Sequence, residues 1–446
     1  MQALKSAMVY VSLDTKTRVQ VVLLFALAGA LYWGMRGAGG YGGISGAVIP
    51  GLMWGLIWYN LLQARIINNP WIVIACVLGF GLGGFNGYGQ FTSWVNGRFG
   101  ISGRENWVFI EPWVGYLWMF AVGAGWGGLG AHLVGLVIKK DSAIINIARL
   151  LCLPVGAVLG NMIVAGNPQI FAPLYTPEMY DPKVCTQCVR TLNTLPIIGS
   201  FWGMLLLTAV FDLVRRDWKR LSVLGIISFG FGIAFSGCSV FHTMHDYAPG
   251  FDWWKMWEMS LGAVAGGSIG IAFLSFKTPP PGNKHRAAAQ FIGADFMWFF
   301  IVNWAFYNCA GRLLIYFLSE ETIKSSGAIL QLILLLPVLV TTLFVLARYT
   351  KEIVSTVREG KTVFDHLAPV KLVTAHIALS LMAFIVVFDA RTVLAFFIVL
   401  SILAMKLIFV VTRKISVVSA GAGWKILNEE LAGLKEEKAE EKPSEN

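Results

Sequence analysis

Apolar residues fill this chain in long runs, separated by short polar or basic segments and without period-two alternation. Runs of about 18 residues or more cross a hydrocarbon core of about 30 Å as helix. A spanning β-barrel would need apolar and polar positions to alternate. The pattern predicts about twelve spans, at 20–35, 45–62, 71–88, 113–137, 144–165, 194–213, 221–240, 257–276, 289–310, 327–347, 369–388 and 392–412. The expected fold class is therefore an all-α polytopic membrane protein.

Composition agrees. The 446 residues are 56% apolar and only 13% charged, against about 25% charged in a soluble domain. The start, MQALKSAMVYVSLDTKTR, is polar and basic and lacks a signal-peptide core, so the first run is expected to stay as a helix. The net charge of +10 does not point to nucleic acid, because most cations lie in short inter-helix segments where they set topology. With a cytoplasmic N-terminus, Arg65, Lys139/Lys140, Arg215 to Arg220, Lys277/Lys284/Arg286, Arg348/Lys351 and Arg413/Lys414 all face inward. That orientation obeys the positive-inside rule. It implies a bacterial inner (cytoplasmic) membrane with both termini cytoplasmic. The long outer connections, 96–113, 165–194 and 241–257, are rich in Trp, Tyr, Phe and Pro and suit the membrane interface.

The first eight runs look duplicated. Gly29-Ala30 with Met35 is echoed by Gly156-Ala157 with Met162, and Gly51/Trp54/Gly55 by Gly199/Trp202/Gly203. Phe85-Asn86-Gly87-Tyr88-Gly89-Gln90-Phe91 matches Phe235-Ser236-Gly237-Cys238-Ser239-Val240-Phe241. Trp118, Gly123, Gly127 and Gly128 match Trp257, Gly262, Gly266 and Gly267. Copies of four helices each must run in the same sense, so a two-fold parallel repeat is expected. The boundaries are a cytoplasmic segment at 1–19, repeat 1 at 20–140, repeat 2 at 141–277 and a linker at 278–288. A C-terminal four-helix module at 289–412 and a charged tail at 413–446 follow.

Three places carry candidate chemistry. Paired helix breaks at Phe85–Gly89 and Phe235–Ser239 would expose backbone to a polar cavity, making Gly87, Tyr88, Gln90, Gly237, Cys238 and His242 ligand-binding candidates. The plainer reading of the glycines is close helix packing. Arg36, beside a glycine-rich segment, is either an anion cradle or a side chain reaching to headgroups. Cys238, His242 and His245 fall at i, i+4 and i+7, a spacing that could hold Zn or Cu if helical. His242, His245, Asp246 and Glu258 would be the catalytic set of an enzyme; a solvated outer loop is the plain alternative. Cys185 and Cys188 sit in an outer loop and read as a disulfide, with a redox pair or half a metal site as alternatives. Asp212 is expected to cap the inner end beside Arg215/Arg216, His132 to bond a neighbouring helix, and Asp295 to lie inside its span.

The glycine-rich helix ending in Gly237-Cys238 resembles a short stretch of the YeeE/YedE-type sulfur-compound transporters, whose duplicated membrane halves carry a cysteine after glycine. The resemblance implies a duplicated membrane transporter. Tyr88 stands where the first copy's cysteine would be, and no residue role is carried over. Three functions follow in order: a transporter or channel-like permease for a small polar or anionic solute, an integral membrane enzyme acting on a lipid-linked or envelope substrate, and a non-transporting subunit of an envelope complex. The expected partners are the lipid bilayer and that solute, with a homo-oligomer or envelope partner as further candidates.

Overall fold

The structure is a computed structural model that describes residues 13–38, 43–61, 70–102, 106–139, 141–275, 295–317, 347, 368–387, 393–412 and 414. The expected span at 327–347, the linker at 278–288 and nearly all of the tail lie outside the described residues, as do 39–42 of the segment after Arg36. The membrane reading holds. Among the described residues seven helices are long and apolar enough to cross a membrane.

In chain order the elements are α1 (Thr15–Ala38), α2 (Gly43–Leu61), α3 (Trp71–Leu82), α4 (Phe91–Val95), β1 (Arg98–Ser102), β2 (Asn106–Phe109) and α5 (Pro112–Ile138). Then come α6 (Ala143–Ala165), α7 (Pro168–Phe171), α8 (Thr186–Val214), α9 (Trp218–Cys238), α10 (Val240–Thr243) and α11 (Trp253–Ser275). Last are α12 (Met297–Phe317), α13 (Ala368–Val387) and α14 (Val393–Thr412). Side-chain oxygens at Asp14, Ser142 and Asp217 cap the N-termini of α1, α6 and α9.

Glycine decides which helices pair. A Cβ on Gly29 of α1 would stand 1.8 Å from the carbonyl oxygen of Gly262 in α11, and one on Gly266 would stand 2.2 Å from that of Phe25. The α5–α9 seam repeats this, with Gly123 facing the Phe231 carbonyl and Gly127 that of Ile227. Gly156 and Gly160 of α6 meet Gly203 and Gly199 of α8, and Gly51 and Gly55 of α2 meet Cys76 and Val73 of α3. In lipid there is no hydrophobic drive between helices, so such backbone contact supplies the association. The matched glycines of α5 and α11 thus do the same job against different partners.

Within these seams the large rings of α1, α2, α3, α5 and α9 form a continuous interior. Trp33, Trp54, Phe80, Trp126 and Phe231 are fully buried, and Phe80 stacks on Phe231 at 5.2 Å. The indoles of Trp54 and Trp126 donate to the carbonyls of Phe25 and Phe80. By contrast α6, α8 and α14 are mostly exposed along rows such as Ile144, Ile147, Leu151, Val158 and Met162. An apolar face of that kind fits lipid.

At one end the last carbonyls of α5 are met by cations. Arg220 donates to Gly135 at 2.8 Å, Lys219 to Ile138 at 2.7 Å, and Arg149 to His132 at 2.5 Å. This is the favourable placement of positive charge at a helix C-terminus. Carboxylates interleave: Lys139–Asp217 and Arg220–Asp141 are each 2.6 Å. The Asp212 expectation needs correction. Its partner is Arg149 at 2.9 Å across the α6–α8 seam, because both side chains are completely buried there while Arg215 and Arg216 point outward. His132 does bond a neighbouring helix, through Thr208 at 2.9 Å.

The C-terminal helices are tied to α1 by a ring of polar groups. His376 of α13 bonds the Ser401 carbonyl through Nε2, so its Nδ1 is the acceptor for the Tyr32 hydroxyl; Ser401 then donates to Ser380. Asp295 pairs with Lys371, both buried.

Two outcomes follow. Gly29→Val should lower thermal stability in detergent by the equivalent of about 1–3 kcal/mol. Gly225→Ala on α9, where a Cβ meets nothing within 4 Å, should raise it by up to about 1 kcal/mol. Equal melting temperatures for the two variants would refute the glycine-seam account. The second concerns Asp217, which burial would push up but which hydrogen bonds from Lys139 and the Arg220 amide hold below the usual aspartate range. A depressed carboxyl contributes stability above its unfolded value of about 3.9 and loses it as pH falls through the folded value. Thermal melts from pH 7 down to 3 should therefore show a shallower acid limb in Asp217→Asn than in the native chain, and lower stability at neutral pH.

Candidate functional site

The opposite end of the bundle holds the largest set of buried polar atoms without partners. It starts from α1, whose last turn carries Arg36, with Trp33 one turn earlier on the same face. Arg36 is 2% exposed. Its guanidinium lies 4.8 Å from the Trp33 ring, 5.5 Å from Trp126 and 5.7 Å from Tyr88. Nη2 donates to the Tyr88 hydroxyl at 3.1 Å, whereas Nε and Nη1 are buried without an acceptor. Cation–π contact offsets part of the lost hydration, about 2 kcal/mol for a desolvated pair. No carboxylate pairs with Arg36 among the described residues.

Local sequence explains how Tyr88 arrives there. Helix α3 stops after twelve residues at Leu82, passes through a 3-10 turn at Gly83–Phe85, and leaves helical geometry at Asn86 (φ −66°, ψ 110°). Gly83 has to be glycine: a Cβ would stand 2.0 Å from Trp126, whose indole needs that space to reach Phe80. The irregular segment then carries Tyr88 over Arg36. Asn86 donates to the Val122 carbonyl but leaves Oδ1 unpartnered, and neither polar atom of the Gln90 amide has a partner.

The far wall is the start of α11. Asp252 accepts from the Lys255 amide and caps that helix. Lys255 and Glu258, both buried, pair at 2.8 Å. Glu258 is close enough to Arg36 and Tyr88 for each to feel its charge. Trp257 joins the pieces, 5.4 Å from Tyr88 and 4.5 Å from His242. Phe235 closes the floor between Tyr88, Trp126 and Trp33. The indole nitrogens of Trp33 and Trp257 and Nε2 of His242 are buried without partners.

The candidates read from sequence separate into three groups. Arg36, Tyr88, His242 and Glu258 come together here, while Gln90 lies two residues beyond Tyr88 with its amide unpartnered. Gly87 and Gly237 do not share a cavity wall: both are exposed, Gly87 sits 3.2 Å (as a Cβ distance) from Thr194, and Gly237 meets nothing within 4 Å. Only the first of the two expected breaks occurs. Helix α9 stays helical through Cys238 and turns at Ser239, whose hydroxyl bonds back to Phe235 at 2.6 Å. That turn also removes the i, i+4, i+7 register behind a Zn or Cu site. Cys238 ends α9 beside the Ser260 hydroxyl, His242 rests on Trp254 and Trp257, and His245 is exposed in the 3-10 turn Met244–Asp246. Among the described residues no three His, Cys, Asp or Glu groups gather to hold a metal. Cys185 and Cys188 are joined as a buried disulfide at the start of α8.

Sequence reasoning missed Trp33, Trp126 and Asn86. The Trp-x-x-Arg spacing at Trp33/Arg36 was the available signal, since i and i+3 share a helix face.

Compared with known proteins, the chain matches no family model, no curated protein and no solved structure.

A buried cation with no carboxylate in hydrogen-bond contact among the described residues is a cost to the fold rather than a support for it. Arg36→Met, of similar length and apolar, should therefore leave the melting temperature unchanged or raise it. Loss of more than about 2 kcal/mol of stability would show instead that the guanidinium is a structural tie.

Proposed function

We propose that the chain is a membrane permease for a small polar or anionic solute, with the Arg36 cage as its binding chamber on the outer side. The observation that carries this is the guanidinium itself: fully buried, held by three aromatic rings, with two N–H positions facing no protein acceptor. Buried charge of that kind is kept where it binds something. The irregular segment after α3 supports the reading. Twelve helical residues rise only about 18 Å, short of a bilayer core, and non-helical backbone at such depth belongs where it is buried in protein or borders a wet cavity.

The topology read from sequence fits this placement. Basic segments gather at the α5–α9 end with Lys139, Arg215 and Arg220, and the cage lies at the other end. We assign the basic end to the cytoplasm of a bacterial inner membrane, with both termini there, and about twelve spans in total. Descent from a doubled quartet of helices rests on the sequence matches alone, since α5 pairs with α9 but α11 with α1, which are not equivalent places in the two copies.

An integral membrane enzyme is the second reading, because His242 rests on Trp257, Glu258 follows that ring in α11, and Nε2 of His242 is buried without a partner. The two readings part on one measurement. Proteoliposomes on a solid-supported membrane should give a transient current after a jump in sodium acetate or sodium nitrate, and Arg36→Met should reduce it by about tenfold or more. A protein that binds these anions in detergent yet passes no current would end the permease reading and leave the enzyme.

A further inference from the structure

We infer that the cage takes a small anion of single charge. This deepens the permease reading by naming the solute class. The case rests on which charges are buried together. Arg36 and Lys255 bring two positive groups, Glu258 brings one negative group, and all three are buried within electrostatic reach of the site. Lys255 and Glu258 neutralise each other at 2.8 Å. Arg36 is left over, and one monovalent anion would close the balance in a low-dielectric setting where an uncompensated charge is costly.

Other ionisable groups do not change that count. His242 rests on the Trp254 and Trp257 rings and keeps Nε2 unpartnered, and His245 is exposed. Asp252 is engaged as the cap of α11. Arg190 lies beside Gly89, exposed at the rim, where a cation draws anions toward the opening.

Hydrogen-bonding capacity points the same way. The unpartnered donors around Arg36 are its own Nε and Nη1 and the indoles of Trp33 and Trp257, against Asn86 Oδ1 and His242 Nε2 as unpartnered atoms able to accept. Trp N–H and guanidinium N–H can only donate, so what they meet must be an acceptor. Ring faces from Trp33, Tyr88 and Trp126 surround the guanidinium, with Trp257 packed on Tyr88, and offer nothing to balance a second negative charge. A dianion would overshoot the single spare cation.

The test is binding, read without flux. The purified full chain in detergent, at ionic strength fixed with sodium gluconate, is titrated with sodium acetate, sodium nitrate, sodium sulfate and neutral acetamide. Tryptophan fluorescence and melting temperature are followed. Acetate or nitrate should quench saturably and raise the melting temperature, at concentrations about tenfold or more below any effect of sulfate. Acetamide should do neither, and Arg36→Met should be silent to both monoanions while melting normally. Glu258→Gln should bring sulfate to saturation about tenfold earlier, because Lys255 is then unpaired. The inference is overturned if no monoanion saturates, if acetamide matches acetate, if sulfate is preferred by the native chain, or if Glu258→Gln leaves selectivity unchanged. Selective binding with no proteoliposome current sinks the permease reading alone; current without this selectivity sinks the monoanion assignment alone.

Discussion

Backbone-to-backbone contact at the glycine seams is what the remainder of the bundle rests on. Gly29 against Gly262 and Gly123 against Phe231 leave no volume for side chains between paired helices. The bulk of α1, α5 and α9 is therefore displaced to the side, into the space the two pairs enclose. That displacement is why Trp33, Trp54, Trp126 and Phe231 meet in one cluster rather than lining separate interfaces. Small residues at the seams and large ones in the middle are two halves of one packing solution.

The same logic separates the two ends. At the α5–α9 end, Arg149, Arg220 and Lys139 each have a carbonyl or carboxylate within hydrogen-bond distance. Such a network fixes helix ends and leaves no arginine donor there unmet, His132 Nε2 being the one unpartnered side-chain atom among the groups named. At the other end Arg36 meets ring faces and one hydroxyl. Both ends bury arginine, yet only one leaves its donors unspent. The difference identifies a site more firmly than burial or charge taken singly.

How much of this was legible beforehand depended on whether the signal was local. Span positions come from apolar run length, a property of the chain alone, and so α5, α6, α9 and α11 stand close to where the runs placed them. Arg36, Tyr88 and His242 could be named because a charge, a glycine break and a titratable ring are visible residue by residue. What joins them was not visible. Trp126 and Trp257 read as interface or core aromatics, and only contacts between distant segments make them walls of a cage. The break expected after Phe235 failed for a related reason. A glycine permits a helix to end without compelling it, and Gly237 has no neighbour pressing on it, so α9 runs on until Ser239. At Gly83 the Trp126 ring demands the space, and there the regular helix does end.

Beneath the cage the interior is shut in this conformation. Trp33 packs on Trp54, Trp54 on Phe80, and Phe80 on Phe231, leaving a solute at Arg36 with no straight course toward the basic end. On the permease reading proposed above, passage would require some wall of the cage to move while the seams hold. The helical walls are pinned: α1 by α11, and α5 by α9. The segment carrying Asn86, Tyr88 and Gln90 is not helical, and Tyr88 reaches Arg36 through one hydrogen bond and a ring face. An anion that took over the free guanidinium donors would compete with that contact and weaken the hold on Tyr88. On that reading the tyrosine would be both the lid over a bound charge and the part of the wall whose position that charge controls, coupling occupancy to opening without any large helix motion.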